Sequence, residues 1–298
     1  MPGAMKKKDT PISVRAGKIE FVKINATTWD WRDVYHWILS LSWPRFAALV
    51  LGFFVALNLA FAVAYTAQSG CIAELPPGNF LEATFFSVET LATVGYGHMY
   101  PATTYGHIVT TIEIVIGMFW MAVITGLIFV RFSRPTARIV FSNSAVITQF
   151  DGKPTLMLRV ANMRHQSMVE AEFRLMLLRN EPVQEGDFAR RFYTLKLTFD
   201  RLIMFPVALT LRHVIDEQSP LHGMTVADLE KTDTRLMGSV VCVDAVIQAP
   251  VQKQHDYGWR DIHFGKRFVE IYTEMEDGRL TVDYGRLHEV EADVPKTE

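Results

Sequence analysis

Thr93-Val94-Gly95-Tyr96-Gly97, preceded by the apolar run Phe80-Leu81-Glu82-Ala83-Thr84-Phe85-Phe86-Ser87-Val88-Glu89-Thr90-Leu91, is the stretch on which the fold of this chain turns. Gly95 and Gly97 permit backbone conformations that residues with a Cβ resist. The upstream run reads as a short apolar helix, with Pro76-Pro77-Gly78-Asn79 supplying a turn and Asn79 a candidate N-cap. An apolar span lies on either side: Phe46 to Tyr65, with Asn58 its strongly polar member, and Ile108 to Val130, carrying Glu113 near one end. About 20 residues rising ~1.5 Å each cross a hydrocarbon core of ~30 Å, so both spans predict transmembrane helices. Only Thr66 to His107 separates them, too little for an ordinary domain but enough for a short helix and a loop that dip back into the membrane.

The charge pattern agrees. Between Phe46 and Val130 there is no Lys or Arg, and the acids are Glu74, Glu82, Glu89 and Glu113. Lys6, Lys7, Lys8, Arg15, Lys18, Lys23, Arg32 and Arg45 precede the first span, and Arg131, Arg134 and Arg138 follow the second. The positive-inside rule then places both termini in the cytoplasm. A cleavable signal peptide does not fit, because the first span begins deep in the chain and lacks a short h-region with a cleavage site. Trp31, Val34, Tyr35, Ile38 and Leu41 recur at helical spacing just before it, which predicts an amphipathic interfacial helix over 29–42 behind a flexible cytoplasmic segment, 1–28. The formal charge of −2 gives no basic excess, and no nucleic-acid partner is expected. Cys71 and Cys242 fall in what the topology makes opposite compartments, so both are expected as free thiols.

Irregular backbone at membrane depth is tolerated only where protein or a water-filled pathway covers it, so a loop here implies a pore. The carbonyls of Thr93, Val94, Gly95 and Tyr96, with the Thr93 hydroxyl, can replace the hydration shell of K⁺, and the five-residue string is the established signature of potassium filters. The preceding helix would direct its negative C-terminal pole at the cavity beneath. One such segment per chain, where four ring an axis, implies a homotetramer. K⁺ is the expected metal, and no cofactor is called for.

After Pro135 the pattern changes to period two. Val169, Ala171, Phe173, Leu175 and Leu177 alternate with Glu170, Glu172, Arg174 and Met176, and Leu156, Leu158 and Val160 repeat the theme. Less regular runs at Arg191 to Thr198, Val240 to Ile247, Phe268 to Thr273 and Leu280 to Tyr284, with turns at Asp151-Gly152-Lys153-Pro154 and Asp277-Gly278, predict an all-β sandwich. Thr225 to Lys231 reads as one short helix. The expected organisation is a pore domain over 43–134, a cytoplasmic sandwich over 135–290 and a flexible tail over 291–298. No G-x-G-x-x-G follows a strand, and neither His213 with Asp216 nor His255 with Asp256 has a nucleophile or metal spacing beside it, so no enzyme is expected. His222, His263 and His288 read as solvated.

From the Trp29 region to about His288 the chain resembles the prokaryotic inward-rectifier potassium channels. The resemblance is carried by Phe85 through Gly97, Phe132-Ser133-Arg134-Pro135, Phe141-Ser142, Ala145-Val146-Ile147, Asp151 through Met157, Arg159, Ala161-Asn162-Met163-Arg164 and Glu170-Ala171. It implies a two-span α-helical pore with a slide helix and a re-entrant pore helix, joined to a cytoplasmic immunoglobulin-like β-sandwich, in the bacterial inner membrane. It also implies that Met121 stands where strong rectifiers carry a cavity acid that holds polyamines or Mg²⁺, so rectification is expected to be weak; Ba²⁺ is a further expected blocker. Phe129 matches the helix-bundle constriction, and Gly117 and Gly126 match hinge or close-packing positions. Glu89 matches the acid behind the filter, but His98-Met99 stands where eukaryotic relatives place its Arg partner, leaving that partner open. Arg131, Arg134 and Arg138 match basic positions that bind anionic headgroups, phosphoinositide among them, while Thr136 and Ala137 replace two lysines. A nonselective pore and a non-conducting membrane-anchored β-sandwich sensor remain as alternatives.

Overall fold

Near the N-terminus, strands β1 (Ile12–Ala16) and β2 (Ile19–Lys23) pair antiparallel within the segment expected to be flexible. The computed structural model describes residues 12–16, 19–23, 33–184 and 186–293; the other residues of 1–28, residues 29–32 of the expected interfacial helix and the end of the tail lie outside these. The chain divides into two compact units at Arg134/Pro135, the N-terminal strands belonging with the C-terminal unit.

The helical unit contains α1 (Val34–Ser40), α2 (Trp43–Ala67), α3 (Phe80–Leu91) and α4 (Thr104–Phe132). Strands β3 (Ile72–Ala73) and β4 (Tyr100–Pro101) pair antiparallel, tying the segment after α2 to the segment before α4. Both long helices exceed their apolar cores, because Ser42 and Pro44 start α2, and Thr103, whose hydroxyl accepts from Gly106 N at 3.1 Å, starts α4. α1 buries Leu39 rather than the face predicted from Val34, Tyr35 and Ile38, of which Tyr35 is exposed. Along α2 and α4 the outward positions are large and apolar, among them Leu51, Phe53, Val63, Ile108, Phe119 and Val123. A surface of that character suits hydrocarbon rather than water.

The C-terminal unit is a two-sheet sandwich. Its strands are β5 (Ile139–Phe141), β6 (Ala145–Phe150), β7 (Lys153–Asn162), β8 (Met168–Pro182), β9 (Phe188–Leu195), β10 (Arg201–Phe205), β11 (Ala208–Val214), β12 (Arg235–Asp244), β13 (Ala249–Gly258) and β14 (Ile262–Phe264). One sheet runs β10-β8-β12-β13, with β9 also on β8; the other runs β11-β7-β6-β14, with β5 also on β7. Inward side chains of both, including Phe173, Leu175, Leu236 and Tyr257 from one and Leu156, Leu158 and Leu211 from the other, form a common core. Thr225 caps α5 (Val226–Lys231), as its S/T-x-x-D pattern dictates.

Two predicted strands are corrected. Val240 to Ile247 ends at Asp244, whose carboxylate accepts from Val246 N and Ile247 N and turns the chain into β13. Phe268 to Thr273 is interrupted: β15 (Lys266–Phe268) and β16 (Tyr272–Glu274) pair with different partners, β18 (Val290–Ala292) and β17 (Leu280–Val282), and between them the Val269 carbonyl accepts from the Arg159 guanidinium at 2.5 Å. His213 is buried, with Nδ1 2.7 Å from the Lys196 carbonyl and Nε2 2.8 Å from Ser219 Oγ. Both cysteines are free and buried.

Candidate functional site

The loop after α3 is built on an abrupt helix end. Asn79 Oδ1 accepts from Glu82 N at 3.2 Å and opens the helix, which closes with Ala92 N donating to Val88 O at 3.0 Å. Three alternate residues then take left-handed backbone angles: Thr93 at φ 58°, Gly95 at 57° and Gly97 at 83°. A Cβ on Gly95 or Gly97 would meet nothing within 4 Å in the chain, so glycine is required there by backbone angle, not by crowding. At Thr93 the same conformation carries a side chain and costs ~1–2 kcal/mol, a strain that must be held by its surroundings. What holds it is the end of α3: Thr93 N donates to Thr90 O, and the Glu89 carbonyl accepts from Val94 N at 2.8 Å and Gly95 N at 3.3 Å. Val94 is 50% and Tyr96 74% exposed in the single chain.

Behind the loop, α3 is fixed to both long helices by a buried polar cluster that sequence reasoning saw only in part. Ser87 Oγ lies 3.0 Å from Asn58 Oδ1 and 2.5 Å from Glu113 Oε1, and all three residues are buried. Tyr65 hydroxyl donates to Glu113 Oε2 and lies 3.2 Å from Thr110 Oγ1. Asn58 and Glu113 stood out as polar residues in apolar spans; Ser87, Tyr65 and Thr110 carried no signal, being ordinary in their helices. Around them Ala62, Tyr65, Cys71, Ile72, Ala83, Phe86 and Met99 form an apolar core, with Tyr65 edge-on to Phe86 at 5.0 Å. Glu89 has a neighbour in His98, whose Nδ1 is 4.0 Å from Oε2, an ion pair whenever the imidazole is protonated.

The remaining candidate residues separate by environment. Gly117 packs against the end of α3, where an added Cβ would lie 2.8 Å from the Leu91 carbonyl oxygen. Gly126 has nothing within 4 Å of such an atom and lies inside the continuous helix α4, so within the chain it makes no close packing contact. Met121 and Phe129 are exposed on α4, Phe129 to 70%. Arg131, expected at a lipid headgroup, is committed within the protein: Nη1 donates to Ile38 O at 3.0 Å and Nη2 to Leu41 O at 2.8 Å, and the guanidinium lies 4.7 Å from the Trp43 ring and 4.5 Å from the Phe46 ring. It thereby satisfies the open carbonyls at the end of α1, a favourable place for a cation. Arg134 Nη1 donates to Leu39 O at 3.2 Å while the residue stays exposed, and Arg138, in the other unit, is also exposed.

Two helices long and apolar enough to cross a membrane, a short helix between them and a loop of alternating left-handed residues mark a two-span membrane channel protein. A family model described as "Ion channel" matches residues 49–134, and one described as "Inward rectifier potassium channel C-terminal domain" matches 139–298. The chain is 40% identical over 258 residues to the inward rectifier potassium channel Kirbac3.1 of Paramagnetospirillum magnetotacticum, a match covering 87% of this chain and 88% of that one. It is 34% identical over 235 residues to G protein-activated inward rectifier potassium channel 2 of Mus musculus (74% of this chain, 53% of that one). It is 32% identical over 237 residues to the human G protein-activated inward rectifier potassium channel 3 (75% and 58%). The chain therefore spans little more than half the length of these two mammalian relatives. It belongs to the inward rectifier potassium channel family, and is an ion-channel protein rather than an enzyme.

Proposed function

We propose that four copies of this chain surround one axis to form a K⁺-selective pore in the bacterial inner membrane, with both termini cytoplasmic and Thr93, Val94, Gly95, Tyr96 and Gly97 as the filter. The observation that carries this reading is the alternation of left-handed angles at Thr93, Gly95 and Gly97 directly after the C-terminus of α3. Such alternation turns successive carbonyls to one side, and only a ring of copies converts that side into a complete coordination shell. The exposure of Val94, Tyr96, Met121 and Phe129 in the isolated chain supports a neighbour or a pore beside each of them.

In this reading Met121 lines the cavity without a charge, so polyamines and Mg²⁺ are held weakly and rectification is weak. Phe129 forms a ring that closes the pathway by dewetting. Membrane lipid acts through Arg134 and Arg138, the exposed members of the basic set, with Arg131 bracing α1 rather than gripping a headgroup. Phosphoinositide is the anionic lipid of interest, and the cytoplasmic sandwich is the second input to the gate.

The test is ⁸⁶Rb⁺ uptake into anionic liposomes carrying the purified protein, with and without Ba²⁺ and with external K⁺ or Na⁺ as competitor. Uptake blocked by Ba²⁺ and competed by K⁺ but not Na⁺ is expected. A folded tetramer with no flux in any lipid composition would overturn the reading in favour of a sensor, and equal competition by Na⁺ would overturn the assignment of selectivity.

A further inference from the structure

The cluster behind the pore helix has more oxygen–oxygen contacts than its hydroxyls have hydrogens. Four contacts join it: Tyr65 to Thr110, Tyr65 to Glu113, Ser87 to Glu113 and Ser87 to Asn58. Each requires one hydrogen between two oxygens, and Tyr65, Thr110 and Ser87 supply one each. Asn58 does not supply another, since its amide nitrogen is turned to Phe54 O at 2.8 Å, which leaves the oxygen, an acceptor, toward Ser87. Tyr65 gives its hydrogen to Glu113 and receives that of Thr110. Ser87 has one hydrogen and faces two acceptors, Asn58 Oδ1 and Glu113 Oε1. Giving it to either leaves the other contact without a hydrogen unless the carboxyl brings one, and a proton on Glu113 Oε1, 2.5 Å from Ser87 Oγ, satisfies both.

We propose that Glu113 is held as the neutral acid, donating from Oε1 to Ser87 Oγ, and that through Ser87 it is a positioning residue for the filter. Ser87 lies on α3 two residues before Glu89, whose carbonyl holds Val94 N and Gly95 N, so the proton on Glu113 helps fix the helix end from which the filter hangs. This rests on the filter assignment above for its functional consequence, but not for the protonation itself. Loss of the proton sets two oxygens with no hydrogen between them against each other in a site that excludes water, and α3 must shift or admit a solvent molecule. The other titratable groups nearby are Tyr65 on α2, Cys71 after it, and Glu89 with His98 flanking the filter. Glu113 differs from all of these in bonding both to α3 and to α2.

The test uses the full chain in liposomes and three variants. Glu113→Gln keeps every contact, since its amide can donate to Ser87 and its oxygen can accept from Tyr65, but it cannot ionise. Wild type is expected to lose selective Rb⁺ flux by about tenfold between neutral and strongly alkaline pH, equivalent to ~1.4 kcal/mol, while Glu113→Gln matches wild type at neutral pH and stays flat. Glu113→Ala and Ser87→Ala should lose K⁺ over Na⁺ selectivity at every pH. Infrared difference spectra of wild type against Glu113→Gln should show a protonated carboxylic carbonyl band at neutral pH. That band reads protonation without any flux, so a filter wrongly placed and a proton wrongly placed give different results. Absence of the band, Glu113→Gln behaving as Glu113→Ala, or an undiminished alkaline loss in Glu113→Gln would each overturn the proposal.

Discussion

Three glycines on α4 should respond differently to the same methyl group, and Gly117 is the informative one. A Cβ there would lie 2.8 Å from Leu91 O, 3.2 Å from Leu91 Cδ1 and 3.4 Å from Leu91 Cα. A carbon sits comfortably about 3.3–3.6 Å from a carbonyl oxygen, so the end of α3 must retreat by roughly half an ångström. Inserting a methyl into a packed contact costs about 1–3 kcal/mol, and replacing glycine by alanine in a helix returns ~1 kcal/mol, leaving a net loss of ~0–2 kcal/mol. The functional effect should be the larger one, because Leu91 immediately precedes the turn that places Thr93 and the Glu89 carbonyl that holds Val94 and Gly95. Gly117→Ala should lower the thermal midpoint of the detergent-solubilised protein and reduce K⁺ over Na⁺ selectivity of flux. Gly126→Ala, with nothing within 4 Å, should leave both unchanged or raise stability slightly. Gly106→Ala should be the most damaging to stability, since its methyl would overlap the Cys71 carbonyl. The reasoning is refuted if Gly117→Ala and Gly126→Ala cannot be told apart in either assay.

Arg131→Ala removes two hydrogen bonds to α1 and the stacking on Trp43 and Phe46, a loss of ~2–3 kcal/mol for a partly buried cation; hydrogen exchange over Val34–Ser40 should accelerate, and Arg131→Lys should not restore it because an ammonium lacks the planar fork. Met121→Glu should make outward flux sensitive to spermine, and unchanged spermine block would remove Met121 from the cavity wall. In the sandwich, the Ile247 and Val246 backbone amides and the Arg164 guanidinium, 2.9 Å away, hold the Asp244 carboxyl below the usual range despite its burial. A depressed carboxyl stabilises the fold above its unfolded value, and that contribution is lost as pH falls through the lower folded value. Exchange in the β12–β13 hairpin should therefore rise in acid, and Asp244→Asn should flatten that dependence at a cost of ~1–3 kcal/mol near neutrality.

The pore half was legible because its signals are local and strong: two apolar lengths matched to a bilayer, a capped short helix and a loop motif whose glycines have a backbone reason. The sandwich was legible where strands alternate cleanly, as in Met168–Pro182, and faded elsewhere. Arg201–Phe205 shows Ile203 and Met204 on the surface, so its apolar residues do not mark an inner face, and Ala249–Gly258 is an edge strand with Gln252, Lys253 and Gln254 exposed in a row. Neither pattern alternates, and neither was read as a strand. Residues acting across long separations were also hidden. Arg131 reaches back to Ile38 and Leu41, and Ser87 joins Asn58 to Glu113, through contacts that no local spacing encodes.

The claim on which the rest depends is that K⁺ is bound by the backbone of Thr93 to Gly97. Its most direct test is the anomalous scattering of Tl⁺ in crystals of the assembled protein. The account predicts peaks in a row on a fourfold axis, flanked by the carbonyls of Thr93, Val94, Gly95 and Tyr96. Peaks elsewhere in the membrane part, or none along these carbonyls in a protein that carries Rb⁺ flux, would contradict it.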